Sequence, residues 1–146
     1  MLAREDKMIV YSMTHDPRDW KQAIKRGFWR RCPNCGEGPL YSRYLKVNPV
    51  CPACGEELHH QRADDAPPYA TMFIVGHVVL GALLVVEAYD DTLPAWIHML
   101  IWSSLALVLS LVLLPLIKGA LIGYQWALRM HGFETAPPAR GGKGPR

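Results

Sequence analysis

Residues 69–117 read YATMFIVGHVVLGALLVVEAYDDTLPAWIHMLIWSSLALVLSLVLLPLI. Two apolar runs share this stretch. Residues 70–86 hold 17 positions without a formal charge, and residues 94–117 hold 24. At about 1.5 Å per residue, the first nearly matches a hydrocarbon core of about 30 Å, and the second can cross it with some tilt. The link AYDDTL allows only a tight turn, so the two helices should run antiparallel as neighbours. A soluble chain of 146 residues could not cover two helices that are apolar on every side. The expected core of the fold is therefore a transmembrane hairpin, with helices over 69–88 and 94–117 and an external turn at 89–93.

Charge sets the expected orientation. Residues 1–68 carry eleven Lys or Arg against nine Asp or Glu, and residues 118–146 carry five against Glu134. The connecting turn has acids and no base. Lys and Arg are retained on the cytoplasmic side of a membrane. Arg62, Lys118 and Arg129 thus place both termini on the cytoplasmic side, in a multi-pass membrane protein. Tyr69, Tyr89, Trp96, Tyr124 and Trp126 fall near the expected interfaces, where aromatic rings sit well. The first 68 residues hold no apolar core of signal-peptide length.

Upstream of the hairpin lies RCPNCGEGPLYSRYLKVNPVCPACGEEL, residues 31–58. All four cysteines of the chain fall here, spaced C-x2-C-x15-C-x2-C: Cys32, Cys35, Cys51 and Cys54. This is the spacing of a four-thiolate zinc site. Gly36 and Gly55 follow each pair and let the chain turn around the metal, so that backbone N–H groups can point at the sulfurs. The repeated CPxCGE segments read as two pseudo-symmetric ligand loops, a small four-cysteine zinc-ribbon-like module or zinc knuckle over 32–58. A module this small has too little core to fold unaided, which makes Zn2+ a structural cofactor. Iron could fill the same four-sulfur geometry. A dithiol redox role and paired disulfides are weaker readings on a cytoplasmic face. Four cysteine ligands leave no position for substrate or water.

The remaining segments are auxiliary. Residues 1–15 read as a flexible N-terminus. A basic amphipathic helix is expected over 16–31, with Asp16 as cap and Pro17 in its first turn. Trp20, Ile24 and Phe28 recur on one face, and Lys21, Lys25, Arg26 and Arg30 occupy much of the rest. Such a helix could lie on an anionic bilayer or pack its apolar face on the zinc module. Gly27 weakens it in either case. Residues 59–68 read as a polar linker that Pro67 and Pro68 close. Residues 118–133 either extend the second helix or turn along the inner surface, and 134–146 have the composition of a disordered tail.

His77, His98 and Glu87 are the candidate functional residues in the membrane, since ionisable groups there are costly. The histidines sit at different depths, roughly 10 Å apart along the hairpin, too far to share one metal in a monomer. Haem ligation against a partner remains open, as does simple bonding to Ser103, Ser104, Ser110 or a carbonyl. Gly76, Gly81 and Ala82 make a small-residue patch where another integral membrane protein or a second copy could approach. Membrane lipids are expected partners. Arg26, Arg30, Arg31, Arg43 and Lys46 keep a membrane-tethered nucleic-acid binder as an alternative, which Glu37, Glu56 and Glu57 weaken. No Ser-His-Asp arrangement, phosphate loop or metalloprotease motif is present, so the expected role is non-enzymatic.

The chain also resembles a known family. Cys32, Pro33, Cys35, Gly36, Gly38, Cys51, Cys54, Gly55, Asp64, Asp65, Glu87, Pro94, Trp96 and Lys118 match the bacterial domain-of-unknown-function family numbered 983. The resemblance covers about residues 25–130. Ala66 stands where members often have glycine. The family has no established activity. In some alphaproteobacteria its genes lie beside those for cytochrome oxidase subunits and assembly factors. The resemblance thus implies a membrane adaptor or assembly factor in respiratory-complex biogenesis, sited in a bacterial inner membrane. A haem-handling or redox protein using the intramembrane histidines is the alternative.

Overall fold

The computed structural model describes residues 18–63, 65–89 and 92–133. Asp16, Pro17, Asp64, the turn residues Asp90 and Asp91, and the terminal segments 1–15 and 134–146 lie outside the described residues. The element order is α1 (Trp20–Phe28), β1 (Tyr41–Arg43), β2 (Lys46–Val47), α2 (Ala66–Tyr89) and α3 (Ala95–Ala127).

Helix α1 starts later than Asp16 would have it. Asp19 is the cap, and its carboxylate accepts from the Lys21 N–H at 2.9 Å and the Gln22 N–H at 3.3 Å. Helix α2 starts earlier than expected, because Ala66, Pro67 and Pro68 belong to its first turn. Proline is tolerated there because the first helical N–H groups have no intrahelical acceptor. Thr71 Oγ1 donates back to the Pro67 carbonyl at 2.8 Å.

Helix α3 settles the question of residues 118–133: the second apolar run continues as one helix to Ala127, with Pro115 inside it. Its 33 residues make about 50 Å, well beyond a hydrocarbon core of about 30 Å. Helices α2 and α3 pack as a hairpin. Only 11% and 6% of their most apolar windows are buried within the chain. Phe73, Leu80, Leu84, Leu100, Leu107 and Val112 are all exposed. Surface of this composition and length suits lipid as its solvent.

The far end of α3 behaves differently. Ile122, Gly123, Gln125, Trp126 and Ala127 are buried, and they are covered by protein. Helix α1 crosses this end through its small residues, Ala23 and Gly27, both buried. A β-carbon on Gly27 would stand 2.1 Å from the Gly119 carbonyl oxygen, and one on Gly119 would stand 2.1 Å from that of Gly27. At Gly123 the obstruction is the Ala23 carbonyl oxygen, at 2.3 Å. Two small-x3-small ridges thus interlock backbone to backbone. Gly27 costs the isolated helix some stability, and the crossing is what requires it.

This corrects the expectation that α1 packs its Trp20–Ile24–Phe28 face on the zinc module. Its buried face is Ala23–Gly27 against α3, while Trp20 and Phe28 remain 50% and 37% exposed. Trp126 is also not an interfacial aromatic. It is buried with Ala23, Ala127 and Phe133 in a small core under α1.

Replacing Gly119 by Val should separate α1 from α3, lowering stability by about 1–3 kcal/mol and opening α1 to proteolysis. Gly76→Ala and Gly81→Ala, where a β-carbon meets nothing within 4 Å, should leave both unchanged. Thermal unfolding in detergent with limited proteolysis would read the difference.

Candidate metal centre

The two CPxCG segments fold into matching loops. In the first, the Gly36 N–H donates to the Cys32 carbonyl at 2.9 Å and the Cys32 N–H to the Gly38 carbonyl at 2.8 Å. In the second, Gly55 N–H to Cys51 and Cys51 N–H to Glu56 repeat the pattern at 2.9 and 2.8 Å. Gly36 and Gly55 have φ of 75° and 74°, which a residue with a β-carbon adopts only at a cost. Short bridges at Arg31–Pro39 and Val50–Glu57 close the loops, and the β1–β2 hairpin joins them.

This geometry brings Cys32, Cys35, Cys51 and Cys54 together, with all four sulfurs within 4.8 Å of one another. Cys32 Sγ lies 3.8 Å from Cys54 Sγ, and Cys35 Sγ lies 3.8 Å from Cys51 Sγ. A tetrahedron with zinc–sulfur arms of about 2.3 Å has edges of about 3.8 Å. Disulfide sulfurs would stand about 2.05 Å apart. The donor set and spacing therefore fit one tetrahedral metal ion. A β-carbon on Gly38 would intrude to 2.4 Å from Cys51 Sγ.

Burial pushes the Cys32 thiol far up and the Cys54 thiol up to about 11. Partial burial raises Cys35 as well, but the N–H groups of Gly38 and Glu37, at 3.5 and 3.4 Å, outweigh it and hold this thiol below the usual range. A metal bound here would displace thiol protons.

The sulfurs sit in a minimal core. Leu40, Leu58, Cys32, Cys51 and Ala63 are fully or almost fully buried, and Ile122 of α3 completes the cluster. The knuckle is thus finished by the helix. Polar contacts fix the same junction. Trp126 Nε1 donates to Glu56 at 2.8 Å, while Asn34 Nδ2 donates to the other Glu56 oxygen at 3.0 Å and approaches Cys54 Sγ at 3.8 Å. Arg18 stacks 4.2 Å over the Trp126 ring and donates to its carbonyl at 2.7 Å. Gln125 makes a two-way bond with the Arg62 backbone, both arms at 3.1 Å. Farther along, Tyr41 donates to the Pro115 carbonyl at 2.8 Å, and Lys118 to the Leu45 carbonyl at 3.1 Å. Pro115 lacks an N–H, so the Leu111 carbonyl four residues earlier loses its helical donor. Tyr44 Oη supplies one at 2.7 Å.

Sequence reasoning missed Glu56 and Trp126. Both loops carry a glutamate after the glycine, Glu37 and Glu56. Only contact with α3 distinguishes the exposed first from the second, 5% exposed. Of the basic residues of α1, Lys21 and Lys25 are exposed. Arg26 turns inward to the Pro33 and Asn34 carbonyls of the first loop, and Arg30 follows the helix end at φ 60°.

In the hairpin, the structure pairs His98 with Glu87 at 3.2 Å across the two helices, and Trp102 Nε1 approaches His98 at 3.3 Å. His77 stays apart from them. Its Nδ1 bonds the Phe73 carbonyl at 2.8 Å within α2.

Reconstitution of the full chain with Zn2+ should bind about one ion, release protons at neutral pH, and bind more tightly as pH rises toward the Cys54 range. Proton release measured with elemental analysis checks this. Cys35→Ser should lose the metal. Trp126→Phe should keep it but destabilise the junction by about 1–3 kcal/mol, because a buried carboxylate oxygen loses its donor.

Comparison with known proteins adds the family. The family model described as "Protein of unknown function (DUF983)" matches residues 41–126. The chain is also 37% identical, over 82 aligned residues, to translation initiation factor 2 subunit gamma of Thermococcus kodakarensis, covering 49% of this chain and 18% of that protein. It thus spans less than a fifth of that relative. No solved structure matches. The family match takes in β1, β2, the second cysteine pair, both apolar helices and the junction at Trp126, and this membrane protein with its four-cysteine cluster therefore belongs to the DUF983 family.

Proposed function

We propose that this protein is a non-enzymatic membrane adaptor or assembly factor. Its zinc module would serve as a docking head held rigidly on a transmembrane hairpin, with both termini in the cytoplasm. The observation that carries the reading is the junction between head and helix. Four thiolates fill the metal's coordination sphere, so no site is left for substrate. The head, meanwhile, is fastened to α3 from Leu111 to Trp126 by Tyr44, Tyr41, Lys118, Ile122 and Glu56. A rigid head on a membrane anchor suits positioning of a partner better than chemistry.

The partner class is membrane protein. Two helices bury one face each, and Gly76, Gly81 and His77 on α2 face outward. A neighbouring helix could approach this side closely, although interhelical polar contacts average only about 0.6–2 kcal/mol each. The family resemblance directs the choice to respiratory complexes, with a cytochrome oxidase subunit or assembly factor as the partner. A homodimer would use the same face.

One observation favours a second reading. The Nδ1 of His77 bonds a backbone carbonyl, and the same ring lines an apolar groove with Tyr69, Met72, Phe73, Gly76 and Leu80. A histidine oriented this way is prepared to ligate a metal. Haem bound at His77 would give a Soret band on gently extracted protein, lost in His77→Ala.

Crosslinking in native membranes followed by mass spectrometry should recover a terminal-oxidase subunit or assembly factor. Deleting the gene should lower the amount or activity of that complex without changing its transcript. Self-crosslinks alone, with respiratory complexes at normal levels, would eliminate the oxidase assignment. A cytoplasm-active reporter fused at residue 146 should be active and a periplasm-active one silent, and the reverse would overturn the orientation.

A further inference from the structure

A cavity of about 560 Å³ lies where the β1–β2 hairpin meets α3. Its lining includes Arg30, Arg31 and Arg43, the aromatic rings of Trp29 and Tyr44, and Pro115. The volume is that of a small-ligand site, and the lining is strongly basic. Glu37 is the one acid that lines it. Among the described residues, none of the three arginines forms an ion pair with a carboxylate. Three guanidinium groups around one opening repel each other, and an anion relieves that repulsion. Arg30 adds a second observation. It stands just past the end of α1 at φ 60°, in the left-handed conformation that ordinarily selects Gly or Asn. There its N–H and that of Arg31 close the helix end on the Gly27 and Arg26 carbonyls, at 2.8 and 2.9 Å, and this turn sets Arg30 and Arg31 at the cavity.

Depth identifies the anion. From the start of α3 at Ala95 to Pro115 is about 30 Å of helix, the thickness of a hydrocarbon core. Lys118 follows one turn later. Pro115 therefore marks the boundary between acyl chains and headgroups, and the cavity opens at that level. Aromatic rings and arginines together at this height suit a phosphodiester headgroup with its acyl chains lying along α3. We propose that this cavity binds the phosphate of an anionic phospholipid, with Arg30, Arg31 and Arg43 as its ligands. The proposal rests on α2 and α3 spanning a bilayer, and is independent of what the zinc head docks.

The test uses the full chain, reconstituted with mixed phosphatidylcholine and phosphatidylglycerol. Lipid retained through gentle purification is counted by native mass spectrometry. Phosphatidylglycerol should be retained in preference to phosphatidylcholine. Arg31→Gln with Arg43→Gln should weaken that retention by roughly fivefold per arginine, with zinc content unchanged. Glu37→Gln removes the opposing charge and should strengthen it, a gain that misfolding cannot imitate. Equal retention of the two lipids, or a Glu37→Gln variant no better than the parent, would overturn the proposal. So would displacement of the lipid by inorganic phosphate where sulfate at equal ionic strength has no effect, since that would assign the cavity to a soluble anion. A chain that fails to insert into bilayers at all would remove the membrane reading itself, a distinguishable result.

Discussion

Helix α3 is longer than a membrane is thick, and the rest of the fold follows from that excess. About 30 Å of the helix can be solvated by acyl chains. The remaining turns still carry Leu121, Ile122, Trp126 and Ala127, which water would not solvate. They must be covered by protein. Helix α1 covers one side through the Ala23–Gly27 ridge, and the cysteine module covers another through Leu40 and Leu58, with Ala63 of the following segment. Neither cover is stable alone. A nine-residue helix is short of the length at which isolated helices persist, and the module has only a handful of buried apolar side chains.

The metal site resolves this dependence. A metal held by the four cysteines would clamp two loops that share no regular sheet beyond a small hairpin, and its binding energy would become folding energy. The order created at the cysteines reaches the membrane through specific bonds. Glu56 of the second loop accepts from both Asn34 of the first loop and Trp126 of α3, and Tyr41 and Tyr44 connect the hairpin to the Pro115 break in α3. Pro115 would otherwise leave the Leu111 carbonyl without a donor near the membrane boundary, where unsatisfied backbone is costly. The tyrosine that repairs this is also a wall of the basic cavity. Helix repair and the cavity are thus consequences of one docking event.

The parts legible in the sequence are those carried by local pattern. Two uncharged runs, a C-x2-C spacing repeated at two cysteine pairs, and the glycines after them need no tertiary information. The features that position the head were not legible, for identifiable reasons. Gly27 reads as a helix weakener until its partner, Gly119, is known to lie against it. Glu37 and Glu56 occupy equivalent places in the two repeats, and only the approach of α3 buries one of them. Trp126 has the position of an interfacial aromatic, but the carboxylate it meets comes from 70 residues upstream. The helix starts shifted for a simpler reason: Asp16 and Asp19 are both competent caps, and Pro67 and Pro68 suit a first turn as well as a linker.

The central claim is that the metal site and the end of α3 form one cooperative unit. Hydrogen exchange on the full chain in a lipid environment, with and without a zinc chelator, tests it most directly. The account predicts that chelation exposes residues 31–63, α1 and residues 119–127 together, while the hairpin segments 70–89 and 95–111 keep their protection. Loss of protection confined to residues 32–58, with α1 and residues 119–127 unchanged, would contradict it. The cysteine module would then be an independent domain beside the membrane helix.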